Sequence, residues 1–169
     1  MFSDCGLTAI AIPDSVTKIE EEAFKNCTKL ASVTGGTNVE TVGKYAFYNC
    51  DALTGITISD KTTSIGAYCF ADCEKLANVK LGTGLTDIPA YAFDLCSALR
   101  EIVLPYRMTT VRDNAFTNCT SLAKVTVPRA TTSIGASAFS YPTKMTIYGI
   151  AGTYAESYAK QVKAAFVNQ

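Results

Sequence analysis

Over residues 99–121 the chain reads LREIVLPYRMTTVRDNAFTNCTS, and its apolar positions keep a definite order. Leu99, Ile102 and Leu104 form an inward set while Glu101 and Val103 alternate outward, which predicts a short strand. Pro105 ends that strand, as Pro13 and Pro128 do in their own stretches. Met108 and Val111 continue the inward set three residues apart. The polar run RDN then turns a corner into Ala115, small where two backbones approach, and Phe116, the large core filler.

The same order is written again and again. Phenylalanine stands at Phe2, Phe24, Phe47, Phe70, Phe93, Phe116 and Phe139, one step of 22 followed by steps of 23. Cysteine follows three residues after the first six, at Cys5, Cys27, Cys50, Cys73, Cys96 and Cys119. Leucine keeps step at Leu30, Leu53, Leu76, Leu99 and Leu122, and isoleucine or valine at Ile19, Val42, Ile65, Ile88, Val111 and Ile134. Alanine precedes the phenylalanine at Ala23, Ala46, Ala92, Ala115 and Ala138, and Cys69 fills that slot once. A fixed period of this size marks units that bury their apolar faces only against their neighbours. The predicted fold is an α/β repeat solenoid. Its coils stack at about 4.8 Å, giving a parallel sheet roughly 30 Å long on one side. Strands are expected to begin near Leu30, Leu53, Leu76, Leu99 and Leu122.

The tail departs from the period at Gly149. Thr153 and Glu156 form a T-x-x-E capping box, and Tyr154, Ala155, Tyr158, Ala159 and Val162 fall on one helical face. Lys160 and Lys163 sit near that helix's C-terminal end, and AAFV can add a last short strand. The expected organisation is a solenoid of about six repeats over 1–148 with a truncated first coil. A cap over 149–169, with a helix at about 154–163, closes its final apolar surface. At the other end, MFSDCGL aligns with the inside of a repeat, so the chain is expected to be the C-terminal piece of a longer protein.

Composition narrows the function classes. An apolar fraction of 48% supports a long core, and 15 basic residues balance 15 acidic ones. Nucleic acid and anionic membrane surfaces both demand a basic face, so neither is an expected partner. No apolar run approaches the roughly 18 residues of a membrane span. There is no histidine, hence no ordinary Ser–His or Cys–His nucleophile pair. Gly35-Gly36 and the GTG at 82–84 follow strands without a helix to hold phosphate, and Glu20, Glu21 and Glu22 read as a solvated turn. No enzyme and no cofactor are expected.

Three sets of residues remain. Seven cysteines are an odd number for a disulfide framework, and a stacked row is no tetrahedron for zinc; the expectation is buried, reduced thiols. Tyr45, Tyr68 and Tyr91 share the slot two before the phenylalanine and form either half-buried rings covering the turn or an aromatic strip that grips a sugar or partner. The outward strand positions form a grid, one column reading Ser32, Gly55, Asn78, Glu101, Lys124 and the next Thr34, Thr57, Lys80, Val103, Thr126. Its centre, Asn78, Lys80, Glu101, Val103 and Lys124, is the candidate ligand surface, with Lys80–Glu101 and Glu101–Lys124 expected to pair in the free protein. Short polar residues at Asp4, Asn26, Asn49, Asp72 and Asn118 suit a turn with loose backbone groups, and Leu95 breaks that series.

Taken together, L-x2-[IV]-x-[IL]-P-x2-[VL]-x2-I-G-x2-A-F-x2-C-x2-L resembles the 23-residue leucine-rich repeat of the Treponema pallidum type, the BspA-like family. Ile12-Pro13, Ile65-Gly66, Ala92-Phe93 and Cys96 carry the motif, and the resemblance runs from Phe2 to about Phe139. Departures are Gly35, Thr62 and Thr131 at usually apolar slots and Pro89 and Arg112 at the usual glycine. The resemblance implies a right-handed superhelix with the strands on its concave face and a C-terminal helical cap. It also implies a monomeric, non-catalytic module outside a bacterial or protozoan cell or on its surface. Such a module adheres to or recognises a host or matrix protein. A spacer holding another domain off the surface, or a carbohydrate binder using the tyrosines, are the alternatives.

Overall fold

A computed structural model describes residues 2–140 and 144–169; the copy written SIGASAFSYPTKM therefore lies partly outside the described residues. Each coil contributes one longer strand and then a two-residue strand. In chain order these are β1 (Ala9–Ile12), β2 (Lys18–Ile19), β3 (Ser32–Gly35), β4 (Thr41–Val42), β5 (Gly55–Thr57) and β6 (Ser64–Ile65). There follow β7 (Asn78–Lys80), β8 (Asp87–Ile88), β9 (Glu101–Val103), β10 (Thr110–Val111), β11 (Lys124–Thr126) and β12 (Ser133–Ile134). The chain closes with β13 (Thr146–Gly149), α1 (Tyr154–Gln161) and β14 (Ala165–Asn168).

Every strand pair is parallel, and pairs between successive repeats join equivalent residues, as in Glu101 with Lys124 and Thr110 with Ser133. The longer strands form the runs β1–β3, β5–β7 and β9–β11–β13–β14, and the short ones form β2–β4–β6 and β8–β10–β12. The longer strands begin two residues later than the leucines that were expected to open them. The leucine N–H is already used: Leu99 donates back to the Cys96 carbonyl at 3.1 Å, and Leu30, Leu53, Leu76 and Leu122 do the same in their coils. Leucine therefore closes a turn, and the strand starts once the backbone is free to pair sideways.

Inside, like stacks on like. The phenylalanines from Phe2 to Phe139 form one file with ring centroids 5.0–5.6 Å apart and planes within 11° of parallel. Leu30, Leu53, Leu76 and Leu99 are fully buried beside them. At the corner the Phe N–H donates to the carbonyl of the next coil's alanine slot, as Phe93 does to Ala115 at 2.8 Å and Phe47 to Cys69 at 2.8 Å. Small side chains occupy that slot because the backbones meet there.

The corner also bends through left-handed backbone on both sides of the phenylalanine. Asn26, Asn49, Asp72 and Asn118, two residues after it, have φ of 57–60°, a conformation that short polar side chains tolerate. Their amides also bond along the stack, Asn49 to Asn26 at 3.0 Å and Asn26 to Asp4 at 2.9 Å. Leu95 adopts the same φ of 61° without such a side chain. The polar departures at apolar slots are satisfied: Thr62 and Thr131 are buried, and their hydroxyls donate to the Val39 and Met108 carbonyls at 2.7 and 2.9 Å. Gly35 has φ +76°, and a Cβ there would lie 2.3 Å from the Ile12 carbonyl oxygen, so no apolar side chain fits.

The expected capping box does not form, although both of its residues make bonds at the helix start. Thr153 is the N-cap residue, but its hydroxyl donates to the Ile150 carbonyl at 2.6 Å instead of receiving a helix N–H. Glu156 accepts from the Gly152 N–H at 2.8 Å and pairs with Lys160 at 2.7 Å. The helix ends at Gln161, short of 163, because Lys163 turns left-handed at φ 56°. Ala155, Tyr158 and Ala159 are buried against the last coil. Tyr158 meets Phe139 edge-on at 6.2 Å, which ends the file of rings, and β14 adds to β13 as expected.

Phe93→Ala is expected to lower unfolding free energy by about 3–5 kcal/mol, because it empties the middle of the file. Tyr106, which is 68% exposed, should change it by less than about 0.5 kcal/mol when replaced by alanine. Urea titration of both variants checks this; equal losses would refute a common phenylalanine core.

Candidate functional site

The two outward columns form as a grid. Asn78, Glu101 and Lys124 stand exposed in one column and Lys80 and Val103 in the next, with Val103 59% exposed. The grid is not uniform along its length. Ladder bonds run from Ile58 N–H to the Lys80 carbonyl at 2.9 Å, from Leu104 to Thr126 at 3.0 Å and from Val127 to Tyr148 at 2.8 Å. Among the described residues no matching bond joins Leu81 to Val103, and β7 and β9 belong to different sheets.

Two adjoining hollows lie on this face. One of about 300 Å³ is lined by Gly55, Thr57, Asn78, Lys80 and Glu101. The other, of about 800 Å³, is lined by Asn78, Ala98, Arg100, Glu101, Ser121 and Lys124. They share Asn78 and Glu101, so four of the five candidate residues line one shallow trough. Arg100 was not foreseen. It precedes the strand, where alternation says nothing about direction, and only its charge beside Glu101 marks it in the sequence.

The expected ion pairs do not form. The described residues pair Lys18 with Glu20, Lys25 with Glu22, Arg112 with Asp87 and Lys160 with Glu156, but not Lys80 or Lys124 with Glu101. Long side chains on a solvated face gain little from pairing, and fixing their rotamers offsets the attraction.

The tyrosines are placed differently. Tyr45, Tyr68 and Tyr91 are half-buried, with Tyr45–Tyr68 centroids 5.0 Å apart and Tyr68–Tyr91 4.7 Å apart at 3°. All three have left-handed φ of 57–61°, uncommon for a bulky ring. Lys25 and Lys44 cover Tyr45 at 5.4 and 4.8 Å, and the Asn114 amide donates to the Tyr91 hydroxyl at 3.1 Å. The ring faces are thus largely occupied by one another and by these neighbours.

The cysteine row has its own logic. Cys27, Cys50, Cys73, Cys96 and Cys119 each donate the thiol to the phenylalanine carbonyl of the preceding coil, at 2.9–3.2 Å. All five are fully buried, as is Cys69 in its alanine slot, while Cys5 is half-buried with its sulfur 3.5 Å from that of Cys27. Burial pushes the thiols of Cys50 and Cys119 up to about 12 and those of Cys73 and Cys96 well above the ordinary value. Among the described residues no group of three or more acidic or thiol side chains could hold a metal ion, and no helix is long and apolar enough to cross a membrane.

A more apolar hollow, of about 630 Å³, opens on the first coil between Phe2, Ile10, Val16, Ile19 and Phe24. Its lining includes the phenylalanine and isoleucine positions that later coils bury under a neighbour, which marks it as stacking surface.

Comparison with known proteins agrees with this architecture. A family model described as BspA type leucine rich repeat region, in six copies, matches residues 1–122 and 40–159. The chain belongs to the BspA-type leucine-rich repeat family. Among solved structures, it is similar to a leucine-rich repeat protein of Bacteroides ovatus, with 28% identity and a TM-score of 0.66 over 88% of this chain and 46% of that one. It is similar to another of Eubacterium ventriosum at 26% identity and TM-score 0.68, over 82% of this chain and 45% of that one. The fold is shared with the T. pallidum leucine-rich repeat protein, at 22% identity and TM-score 0.71, over 95% and 85% of the two chains. This BspA-type chain thus spans less than half the length of the Bacteroides and Eubacterium proteins. No curated protein matches it.

The thiol row gives the pH prediction. A thiol that ionises at the ordinary 9.0 when unfolded but near about 12 when folded keeps its proton in the native chain while the unfolded chain releases it. Its stabilising contribution is therefore complete below pH 9.0 and is lost as pH rises towards about 12. The urea midpoint should fall across that window, and less so for Cys50→Ala with Cys119→Ala. Identical slopes for the two proteins would contradict buried thiols.

Proposed function

We propose that this chain is a non-catalytic binding module that recognises a protein through its strand face, at Asn78, Lys80, Glu101, Val103 and Lys124. The observation that carries the reading is the trough between β5 and β11. There, unpaired charged side chains stand on a rigid stack around short residues, a support on which polar contacts can discriminate. Family membership supports a repeat module of the binding kind, and the sequence offers no nucleophile–base pair to support catalysis. We place the module outside a bacterial cell or on its surface, as a monomer. A Faecalibacterium prausnitzii protein of this fold, 20% identical with a TM-score of 0.56, is a leucine-rich cell surface protein.

Two other readings rank below it. Carbohydrate binding by Tyr45, Tyr68 and Tyr91 needs free ring faces, and those faces stack on one another. A spacer role is favoured by the regular stack and by the greater length of the two relatives, but it gives no reason for the clustered charges at β7–β11.

A photoreactive side chain placed singly at Asn78 or at Tyr45 identifies the partner and the face that meets it. Against that partner, Lys80→Ala with Glu101→Ala should weaken binding at least tenfold, about 1.4 kcal/mol, with an unchanged melting temperature. Tyr68→Ala should leave affinity unchanged. The opposite result, unaltered affinity in the double variant and a large loss for Tyr68→Ala, moves the site to the tyrosines.

A further inference from the structure

The chemistry of the trough narrows the kind of partner, an inference that rests on the strand-face reading above. Lys80 on β7, Arg100 at the entry to β9 and Lys124 on β11 line it against one carboxylate, Glu101, an excess of two positive charges. None of these four side chains joins an ion pair or a side-chain hydrogen bond among the described residues. Asp60 feels the charge of Lys80, but its carboxylate is held by the Thr83 N–H at 2.9 Å, at the far end of that strand. A balanced chain has thus gathered an unbalanced, unpaired cluster on one face.

Two further features describe the occupant. The trough is lined by Gly55, Ala77 and Ala98, short enough for another main chain to come close, and among the described residues the strand ladder is interrupted between β7 and β9, as it is between β3 and β5. Beyond it, the second column turns apolar: Val103, Tyr148 and Val167 follow one another through Thr126 in register, with Val103 59% and Val167 41% exposed. Cations lead into a partly exposed, largely apolar row.

We propose that the recognised segment is an acidic, extended polypeptide. Its carboxylates lie along Lys80, Arg100 and Lys124, and its apolar side chains cover Val103 and the row towards Val167. A polypeptide fits better than an anionic polysaccharide. Only the polypeptide supplies apolar side chains for that row, and the charge of Glu101 repels a uniform polyanion.

Fluorescence anisotropy of the full chain with a short labelled peptide of alternating Glu and Leu tests this, beside its Lys and Leu counterpart and a heparin fragment. The Glu–Leu peptide should bind, the Lys–Leu peptide should not, and raising salt should weaken the complex. Lys80→Glu with Lys124→Glu should reduce affinity by about tenfold or more. Lys80→Ala with Lys124→Ala serves as the milder variant should charge reversal disturb folding, and Val103→Asp should weaken binding separately. Failure of the Glu–Leu peptide to bind, equal binding of the Lys–Leu peptide, or indifference to the Lys substitutions overturns the proposal. Tighter, charge-sensitive binding of heparin also overturns it, in favour of an anionic polysaccharide. Cross-linking from Asn78 does not depend on the partner's charge, so it separates failure of this inference from failure of the strand-face reading.

Discussion

Each coil lies on an almost identical coil, so each side chain must stack against its own kind. A parallel step of about 4.8 Å enforces this, and the phenylalanine file obeys it with ring centroids 5.0–5.6 Å apart. The rule sorts residues by whether they tolerate themselves as neighbours. Phenylalanine, leucine and alanine do. A buried carboxylate or ammonium at a repeated position would meet the same charge one step away in a medium that screens poorly. Cysteine passes for a further reason. It is a small hydrophobe whose thiol can still donate to the Phe carbonyl of the coil before, so one residue type fills the pocket and gives that carbonyl a donor.

Where the rule relaxes, the copies differ. Outward columns are solvated, and like neighbours are not required there, so Asn78, Glu101 and Lys124 can follow one another in a single file. Variation between copies is confined to outward positions such as these, because the interior has no freedom left to hold it. The buried hydroxyls of Thr62 and Thr131, like the thiols, serve the backbone and reach no solvent.

The period, the core and the outward grid were legible in the sequence because each is a statement about spacing. The strand starts were not, because the turn that delays them is a backbone bond from leucine to cysteine that any side chain pattern would allow. Left-handed corners were half legible. Asn26, Asn49 and Asn118 advertise them, whereas Tyr45, Tyr68 and Tyr91 adopt the same φ with a side chain that does not. Thr153 and Glu156 match the capping pattern, but the threonine hydroxyl found the Ile150 carbonyl first. At the site, alternation placed Lys80, Glu101 and Lys124 on the face correctly, yet said nothing of Arg100 or of the open β7–β9 step. Both depend on how neighbouring coils lie against each other, and each coil's own pattern is silent about that.

The single 22-residue step shows what such a stack tolerates. The missing residue falls between Cys5 and Leu7, at Gly6, whose missing Cβ would touch nothing within 4 Å. Phe2 still stacks on Phe24, and Phe2 N–H still reaches the Ala23 carbonyl at 2.7 Å. The molecule behaves as a one-dimensional crystal. Removing or inserting a whole unit cell leaves every lattice contact equivalent, so length can change without redesign. A residue lost within a stacked file is a dislocation, displacing phenylalanine, cysteine and carbonyl together, and only the exposed turns can absorb it.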